Sequence, residues 1–272
     1  MTGIALEFTD KVVLITGGSR GIGAETVRLF AQAGARVAFS YTAAQDRANA
    51  LVAECNRATN TTGRCVAIQQ ELSTPAEGRA LVEATLAAFG RPESRRIDAL
   101  VVNHGIWPPN DAPIDQMPES QWQRTLGVNL DSVFGLVQAA TAQMLLQPQS
   151  DGGPRGRIVL ISSTAGQRGE AYHADYAVTK GALISLTKSL SSELTPKGIL
   201  VNCVAPGWVQ TEMSAATLNH PEVGARIAAG IPVGRAGTPR EIAGPILFLC
   251  TPYAGFISGE ILNVNGGAVL IG

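Results

Sequence analysis

Tyr176 and Lys180 are the side chains best suited to proton transfer in this sequence, because a phenol stands four residues before an ammonium. Residues four apart lie on one face of a helix. A nearby positive charge stabilises phenolate, so we expect the pKa of Tyr176 to fall from about 10 toward neutrality, where a general acid or base works best. Such a pair also occurs by chance. Ser163, thirteen residues upstream of Tyr176 at the end of an apolar run, makes a catalytic interpretation more specific.

A glycine-rich turn lies near the start of the chain, between an apolar strand and a helix. Its sequence is Thr16-Gly17-Gly18-Ser19-Arg20-Gly21-Ile22-Gly23. The glycines permit a tight turn and a close approach of phosphate to the backbone. The helix that follows offers unpaired N–H groups and the positive end of its dipole. The spacing and position predict a dinucleotide site; the alternative is an ordinary glycine-rich connection.

The end of the second strand indicates which dinucleotide binds. An acid there hydrogen-bonds to free ribose hydroxyls, whereas an arginine suits a 2′-phosphate. Here the strand ends Phe39-Ser40-Tyr41-Thr42, the nearest acid is Asp46, and Arg20 of the glycine turn can reach the same region. The sequence therefore favours NADP(H), with NAD(H) as the alternative if Arg20 is only a solvated surface charge.

Short apolar runs alternate with helical patterns along the chain. We predict strands at residues 12–15, 36–41, 64–70, 97–103, 157–162, 199–204 and 260–264. We predict helices at residues 21–33, 42–60, 75–89, 120–147, 176–194 and 239–249. This alternation predicts a single α/β domain over residues 1–272, built on a doubly wound parallel sheet of about seven strands with helices on both faces. Residues 91–96 and 148–156 are predicted to be surface insertions.

Composition excludes several classes of protein. The chain is 45% hydrophobic and 16% charged, which is too apolar for disorder. A net charge of −1 without a basic run argues against nucleic acid or anionic membrane as partners. The four cysteines and three histidines show no metal-ligand spacing, so no metal site is predicted. Without a signal peptide or a long apolar segment, the sequence predicts a cytoplasmic protein with reduced thiols.

These motifs together resemble the short-chain dehydrogenase/reductase family. The glycine turn, the Asn103-His104-Gly105 segment and the Tyr176-x-x-x-Lys180 pair occur in the family's order, over residues 11–267. Among members of the family, the chain is most similar to bacterial 3-oxoacyl-acyl-carrier-protein reductases, notably over residues 257–267. The resemblance implies a Rossmann-type fold and hydride transfer between a nicotinamide and a carbonyl or secondary alcohol.

The resemblance also implies roles for the matched residues. Tyr176 would protonate the carbonyl oxygen, and Lys180 would lower the phenol pKa and bind the nicotinamide ribose. Ser163 would hydrogen-bond the substrate oxygen, with Ser162 as the alternative serine. Asn129 would hold the long helix in shape and bind a water. The residues implied to bind the cofactor are Gly17, Ser19, Arg20, Gly21, Ile22, Gly23, Tyr41, Glu71, Leu72, Asn103, Gly105, Tyr176, Lys180, Pro206, Gly207, Val209 and Thr211.

The sequence departs from the family pattern at three places. His104 stands where relatives carry alanine, and we interpret it as a packing neighbour of the cofactor. Glu71-Leu72 replaces an Asp-Val pair that is frequent near the adenine. The ends of the two long helices, residues 143–147 and 191–193, lack the basic side chains that grip an acidic carrier protein. The carrier protein is therefore a doubtful partner, whereas carbonyl reduction is unaffected.

The substrate is the least specified feature. We expect a small-molecule carbonyl or alcohol in an apolar pocket beneath a lid at about residues 211–230, flanked by Trp107, Gln167, His173, Trp208 and Met213. A 3-oxoacyl thioester and a free small ketone, sugar or polyol both remain open, as does a non-catalytic cofactor-sensing regulator. Apolar helix surfaces predict a homo-oligomer, and the resemblance implies a tetramer.

Overall fold

The computed structural model describes residues 6–58, 63–90, 95–149 and 153–270. The strands are β1 (Val12–Ile15), β2 (Arg36–Tyr41), β3 (Cys65–Gln69), β4 (Ala99–Val102), β5 (Gly156–Ile161), β6 (Ile199–Pro206) and β7 (Ile261–Val264). The helices are α1 (Gly21–Gln32), α2 (Gln45–Ala58), α3 (Pro75–Phe89), α4 (Glu119–Leu126), α5 (Ser132–Leu146), α6 (Thr164–Arg168), α7 (Ala174–Leu194), α8 (Ala215–Leu218), α9 (Pro221–Ala229) and α10 (Pro239–Leu249). Every predicted strand is therefore present, with ends within two residues of the prediction.

The strands form one parallel sheet in the order β3-β2-β1-β4-β5-β6-β7. The predicted doubly wound fold is confirmed. The direction of winding reverses between β1 and β4, so the connections after these strands run to opposite faces of the sheet. In such sheets this reversal opens a crevice at the carboxyl ends of the strands. The glycine turn follows β1 and Asn103 follows β4, which places both at that crevice.

The continuous apolar runs of the strands are explained by helices on both faces of the sheet. Side chains alternate between faces along a strand. Val13 and Ile15 pack in a core with α1, α2 and α10, whereas Leu14, between them, packs in a second core with α3, α5 and α7. All four residues of β1 are buried. This is the pattern of parallel strands covered on both sides.

The helix predicted at residues 120–147 is interrupted. A π-helical turn at Gly127–Asp131 separates α4 from α5. The Ser132 hydroxyl donates a hydrogen bond to the Val128 carbonyl at 2.8 Å, within this turn. Single π-turns inside longer helices occur frequently at functional sites. Periodicity of apolar residues cannot reveal such a turn, because one inserted residue barely alters the pattern.

Two further differences concern segments in which the sequence analysis predicted no helix. α6 follows β5 directly, and α8 and α9 lie within the predicted lid. Parts of the two predicted insertions, residues 91–94 and 150–152, lie outside the described residues. Over the described ranges, the structure has no helix that is long and apolar enough to cross a membrane. The same ranges hold no group of His, Cys, Asp and Glu arranged to bind a metal ion.

Candidate active site

A cleft of about 540 Å³ lies at the carboxyl ends of the strands. It runs from the end of β2, past the glycine turn, to Tyr176 and the lid. All the predicted catalytic and cofactor residues line this cleft except Gly23 and Asn129. Both exceptions lie behind the cleft wall and act on residues that form it.

The glycine turn has the backbone geometry that the sequence predicted. Gly17 and Gly21 have φ values of 64° and 56°, which favour glycine. A Cβ at Gly23 would lie 2.2 Å from the Gly17 carbonyl oxygen, so only glycine lets α1 approach the turn this closely. Arg20 precedes α1 without a side-chain hydrogen bond to the helix, which leaves the first N–H groups facing the cleft. These features fit a dinucleotide pyrophosphate.

Asn103 and Thr16 brace the turn from behind. The Asn103 amide nitrogen donates to the carbonyls of Thr16 and Gly17, at 3.1 and 3.2 Å. The Thr16 hydroxyl oxygen accepts the backbone N–H groups of Asn103 and His104, at 3.0 and 3.1 Å. Because its lone pairs are engaged in this way, the Thr16 hydroxyl donates its own proton to Nδ1 of His104, 2.7 Å away.

His104 is therefore a neutral imidazole that carries its proton on Nε2. Nε2 donates toward the Ser132 hydroxyl at 2.8 Å and the Val128 carbonyl at 3.1 Å. Burial and the positive charge of Lys180 lower the pKa of His104 to about 3. The ring links the start of the glycine turn to the π-helical turn. The sequence interpretation of His104 as a packing neighbour missed this bridge, which depends on residues 88 and 28 positions away.

Asn129 sits in the π-helical turn and is buried. Its Oδ1 accepts the Ile106 N–H at 2.8 Å, and its Nδ2 donates to the Ile106 carbonyl at 2.9 Å. Nδ2 also donates to the Thr179 hydroxyl at 3.2 Å. Asn129 thus fastens the segment after β4 to α7, one residue from Lys180. These bonds support the expected shape-holding role.

Lys180 is buried, with its ammonium donating to the Ile161 carbonyl at 2.8 Å. Burial lowers the pKa of this ammonium to about 8. Gly105 borders the same point, since a Cβ there would lie 3.4 Å from Nζ. Gly105 and Lys180 therefore line the same part of the cleft.

The expected lowering of the Tyr176 pKa is wrong. Burial raises the pKa of Tyr176 to about 12; a hydrogen bond with Ser163 acts in the opposite direction, and the charge of Glu170 raises it further. The ammonium of Lys180 lies 5.7 Å from the centre of the phenol ring and is held by the Ile161 carbonyl. The cost of desolvating the phenolate therefore outweighs its attraction to the Lys180 ammonium, which the helical spacing had led us to expect. Tyr176 is protonated at neutral pH, the form that donates a proton.

The structure distinguishes between the two candidate serines. Ser162 is buried, and its hydroxyl donates to the Lys180 carbonyl at 2.7 Å. Ser163 precedes α6, accepts the Ala165 N–H at 3.1 Å, and lines the cleft with Tyr176, whose pKa it lowers. Ser163 is thus placed beside the phenol, while Ser162 anchors the lysine helix.

The far end of the cleft has aromatic walls. Trp107 packs against His173 and Trp208, with ring centres 4.7 and 6.2 Å away. Trp107, Trp208 and Met213 line the cleft as expected. Gln167 does not line it, and its amide donates to Asn263 at 2.5 Å. His173 is a buried neighbour of Trp107 that lies 3.4 Å from Asp111.

Sequence reasoning missed Glu170 in this wall. Its carboxyl lines the cleft beside Trp107, and burial raises its pKa. It lies six residues before Tyr176, in the loop between α6 and α7. Nothing in that loop's composition distinguishes Glu170 from a solvated acid.

The fold and cleft define a nicotinamide-dinucleotide oxidoreductase, and the comparisons identify its family. A family model described as enoyl-(acyl carrier protein) reductase matches residues 17–269. The chain is 36% identical to a 3-oxoacyl-[acyl-carrier-protein] reductase of Synechocystis sp. over 263 residues, covering 96% of this chain and 98% of the relative. It is 37% identical to the corresponding reductase of Vibrio cholerae over 269 residues, covering 98% of this chain and 100% of the relative.

Solved structures agree with these sequence matches. A short-chain dehydrogenase/reductase from Brucella melitensis superposes with a TM-score of 0.85 at 32% identity, covering 98% of this chain and 100% of that one. A putative NAD(P)-dependent gluconate 5-dehydrogenase from Beutenbergia cavernae, with bound NADP, gives 0.85 at 31% identity, covering 97% and 98%. The chain belongs to the short-chain dehydrogenase/reductase family. It is an NAD(P)-dependent oxidoreductase that acts on carbonyl and secondary alcohol groups.

Proposed function

We propose that this enzyme reduces the ketone of a 3-oxoacyl thioester with NADPH. One observation carries the proposal: Ser163, Tyr176 and Lys180 line the same cleft as the glycine turn. A bound nicotinamide supplies the hydride. The protein supplies the proton and the position of the reacting groups.

Each residue has a distinct role in the proposed reaction. Tyr176, which is protonated because burial raises its pKa to about 12, donates its proton to the ketone oxygen. Ser163 donates a hydrogen bond to the same oxygen, a preorganised contact worth about 3 kcal/mol in comparable sites. Lys180 supplies a buried positive charge near the developing alkoxide. Asn129 and His104 are positioning residues, which hold the wall that faces the lysine.

The proposed preference for NADP(H) rests on the lack of a carboxylate at the end of β2 and on the positive charge of Arg20. Ser40, Tyr41 and Thr42 line the cleft there without a carboxylate, and Arg20 reaches it from the glycine turn. Solved relatives hold NADP or NADPH. NAD(H) is the alternative.

A second substrate class is favoured by Glu170. A half-buried carboxyl beside Trp107 provides an acceptor for substrate hydroxyls, which suits a free hydroxylated ketone, a sugar or a polyol. A solved relative is described as a putative gluconate 5-dehydrogenase. This class needs no carrier protein, in keeping with the uncharged end of α5.

Assembly and location are part of the same proposal. Large apolar side chains are exposed on α5, α7 and α10, among them Phe134, Val178 and Phe248. We propose that these faces meet in a homotetramer. All four cysteines are buried and form no disulfide, which suits a reducing cytoplasm.

The deciding experiment is NADPH consumption with matched substrates, with Tyr176→Phe as the blank. The panel contains a 3-oxoacyl thioester on coenzyme A, the same acyl group on a carrier protein, a simple ketone and a polyol with NADP⁺. Turnover of both thioesters supports the first substrate class. Turnover of the polyol or free ketone alone would replace it with the second, and no turnover of any member would contradict both.

A further inference from the structure

Two sets of polar contacts join α7 to α4 and to the π-helical turn that follows α4. Oδ2 of Asp175 accepts the Thr125 hydroxyl at 2.7 Å and the Gln121 amide at 3.2 Å. One helical turn further along both segments, the Asn129 amide donates to the Thr179 hydroxyl at 3.2 Å. Residues four apart share one face of a helix, so the two sets of contacts lie one above the other. These five residues form a polar ladder between the two segments.

The polar ladder is buried. Its fully buried members are Thr125, Asn129, Asp175 and Thr179. Across the ranges that the structure describes, Oδ1 of Asp175 has no hydrogen-bond partner. A buried oxygen without a partner costs free energy, which an apolar side chain at the same helix contact would avoid. Stability alone therefore does not account for a carboxyl group at this position.

Each α7 residue of the polar ladder directly precedes a residue of the proposed reaction. Asp175 comes before Tyr176, and Thr179 comes before Lys180. Successive side chains on an α-helix point roughly 100° apart, because the helix has 3.6 residues per turn. A contact that fixes the direction of Asp175 therefore also fixes the direction in which Tyr176 leaves the helix.

The two catalytic positions on α7 are anchored by different contacts. At Lys180, the Ser162 hydroxyl donates to the backbone carbonyl at 2.7 Å, and the ammonium donates to the Ile161 carbonyl at 2.8 Å. At the start of α7, His173 precedes the helix without a side-chain hydrogen bond to it. Asp175 thus supplies side-chain hydrogen bonds to the first turn of α7, which carries Tyr176.

We propose that Asp175 is a positioning residue for the proton transfer. Its bonds to α4 fix the rotation of the first turn of α7, and so they place the Tyr176 hydroxyl in the cleft. Asp175 is itself buried and acts only through Tyr176. Since a displacement of about 1 Å can slow a reaction by roughly 10²-fold, a small rotation of this turn is enough to matter. The inference rests on the proposed role of Tyr176 as proton donor.

The test compares two substitutions of Asp175 in the full chain, with the carbonyl substrate that the wild type reduces best. Asp175→Leu removes both bonds to α4, and kcat should fall by roughly 30-fold, as for a displacement somewhat under 1 Å. Asp175→Asn keeps an acceptor oxygen for both donors, so kcat should stay within about threefold of the wild type. The dissociation constant of NADPH, measured by calorimetry, should change by less than about twofold in both, since the glycine turn is distant.

Thr187→Val is the matched control. Thr187 is buried on the same helix, and its hydroxyl donates to the Leu183 carbonyl at 2.8 Å, within α7. Its substitution removes a buried hydrogen bond without touching α4. It should lower stability in urea but leave kcat within about twofold of the wild type.

A double variant separates positioning from folding. Thr125→Val with Asp175→Leu replaces both partners by apolar groups, a change that can be nearly neutral for stability. It should be at least as stable as Thr187→Val and should keep the low kcat of Asp175→Leu. If Asp175→Leu alone does not fold, this variant supplies the measurement.

The Tyr176→Phe background tests whether Asp175 acts through the phenol. There, Asp175→Leu should lower the residual kcat by less than about threefold, because the hydroxyl that it positions is already gone. A 30-fold effect that persists in this background, an equal fall of kcat in Thr187→Val, or an unchanged kcat in Asp175→Leu would overturn the inference and leave the proposed function standing. If Tyr176→Phe itself keeps the wild-type rate, the proposed role of Tyr176 fails, and the inference fails with it.

Discussion

The polar groups at the two ends of the cleft differ in burial and in how firmly their partners fix them. Around Lys180 the polar groups are buried and bonded to fixed partners, such as the Ile161 carbonyl and the Ser162 hydroxyl. Around Arg20 the charged groups are exposed and share one carboxylate. Chemistry requires groups fixed before the substrate arrives. Recognition of a phosphate only requires contacts that can be exchanged.

This contrast predicts large effects of substitution at the buried end and small effects at the exposed end. Substitutions at both ends of the cleft test this contrast.

Tyr176→Phe should have the largest effect. It removes the proposed proton donor and leaves the aromatic ring in the cleft wall. We expect kcat to fall by roughly 10³-fold, within the range for a lost general acid, with nucleotide affinity nearly unchanged. Steady-state kinetics and calorimetry measure the two quantities. Retention of a tenth of the wild-type rate contradicts the assignment.

Gly23→Ala should be the most damaging change to the glycine turn. Its Cβ would meet the Gly17 carbonyl oxygen at 2.2 Å, so the turn must shift. We expect the free energy of unfolding to fall by about 3 kcal/mol, as for overpacked sites. Gly244→Ala, within α10, is the control: no atom lies within 4 Å of the new Cβ, and helix propensity should raise stability by about 0.5–1 kcal/mol. Equal effects in urea denaturation would refute the packing argument.

Lys180→Met tests the cost of the buried charge through pH. Burial lowers the pKa of Lys180 from 10.5 to about 8. Between these values the unfolded chain binds more protons than the folded one, so this group makes stability rise with pH. Relative to Lys180→Met, the wild type should gain about 3 kcal/mol between pH 7 and pH 11. The exposed Lys188→Met, on the same helix, is the control and should show no comparable trend. A pH-independent difference at Lys180 would show that its charge is well solvated.

His104→Ala should disturb the bridge between the glycine turn and the π-helical turn. It removes the acceptor of the Thr16 hydroxyl proton and one of the two hydrogen bonds of the Ser132 hydroxyl, and should cost about 2 kcal/mol. A double-mutant cycle with Ser132→Ala isolates the shared bond, with a coupling energy of about 1 kcal/mol. Additive effects would mean that the 2.8 Å contact between His104 and Ser132 contributes nothing. Cofactor KM should rise more than kcat falls, because the bridge supports the turn.

Glu212→Gln should have the smallest effect on folding. Both of its ion pairs are exposed, so the free energy of unfolding should change by less than about 1 kcal/mol. Thermal unfolding at low and high salt measures this change. A larger loss would mean that the ion pairs of Glu212 stabilise the fold as the buried groups around Lys180 do. The contrast between the two ends of the cleft would then fail.

The fold and most of the cleft lining were predictable, because they depend on local patterns. The run Val12–Ile15 is apolar throughout, and the glycines that follow permit a conformation that other residues rarely adopt. The spacing of Tyr176 and Lys180 follows from helix geometry alone. The interruption at Gly127–Asp131 was not predictable, since it depends on contacts of Asn129 with residues 23 and 50 positions away.

The amino-acid sequence alone specified the order of the strands, the conformation of the glycine turn and most of the residues that line the cleft. Tertiary structure alone decided the direction of the Tyr176 pKa, the tautomer of His104, the choice of Ser163 over Ser162 and the meeting of Arg47 with Glu212. The physical reason is that apolar periodicity and backbone conformation are local. Desolvation and hydrogen-bond partners depend instead on which distant groups pack against a side chain.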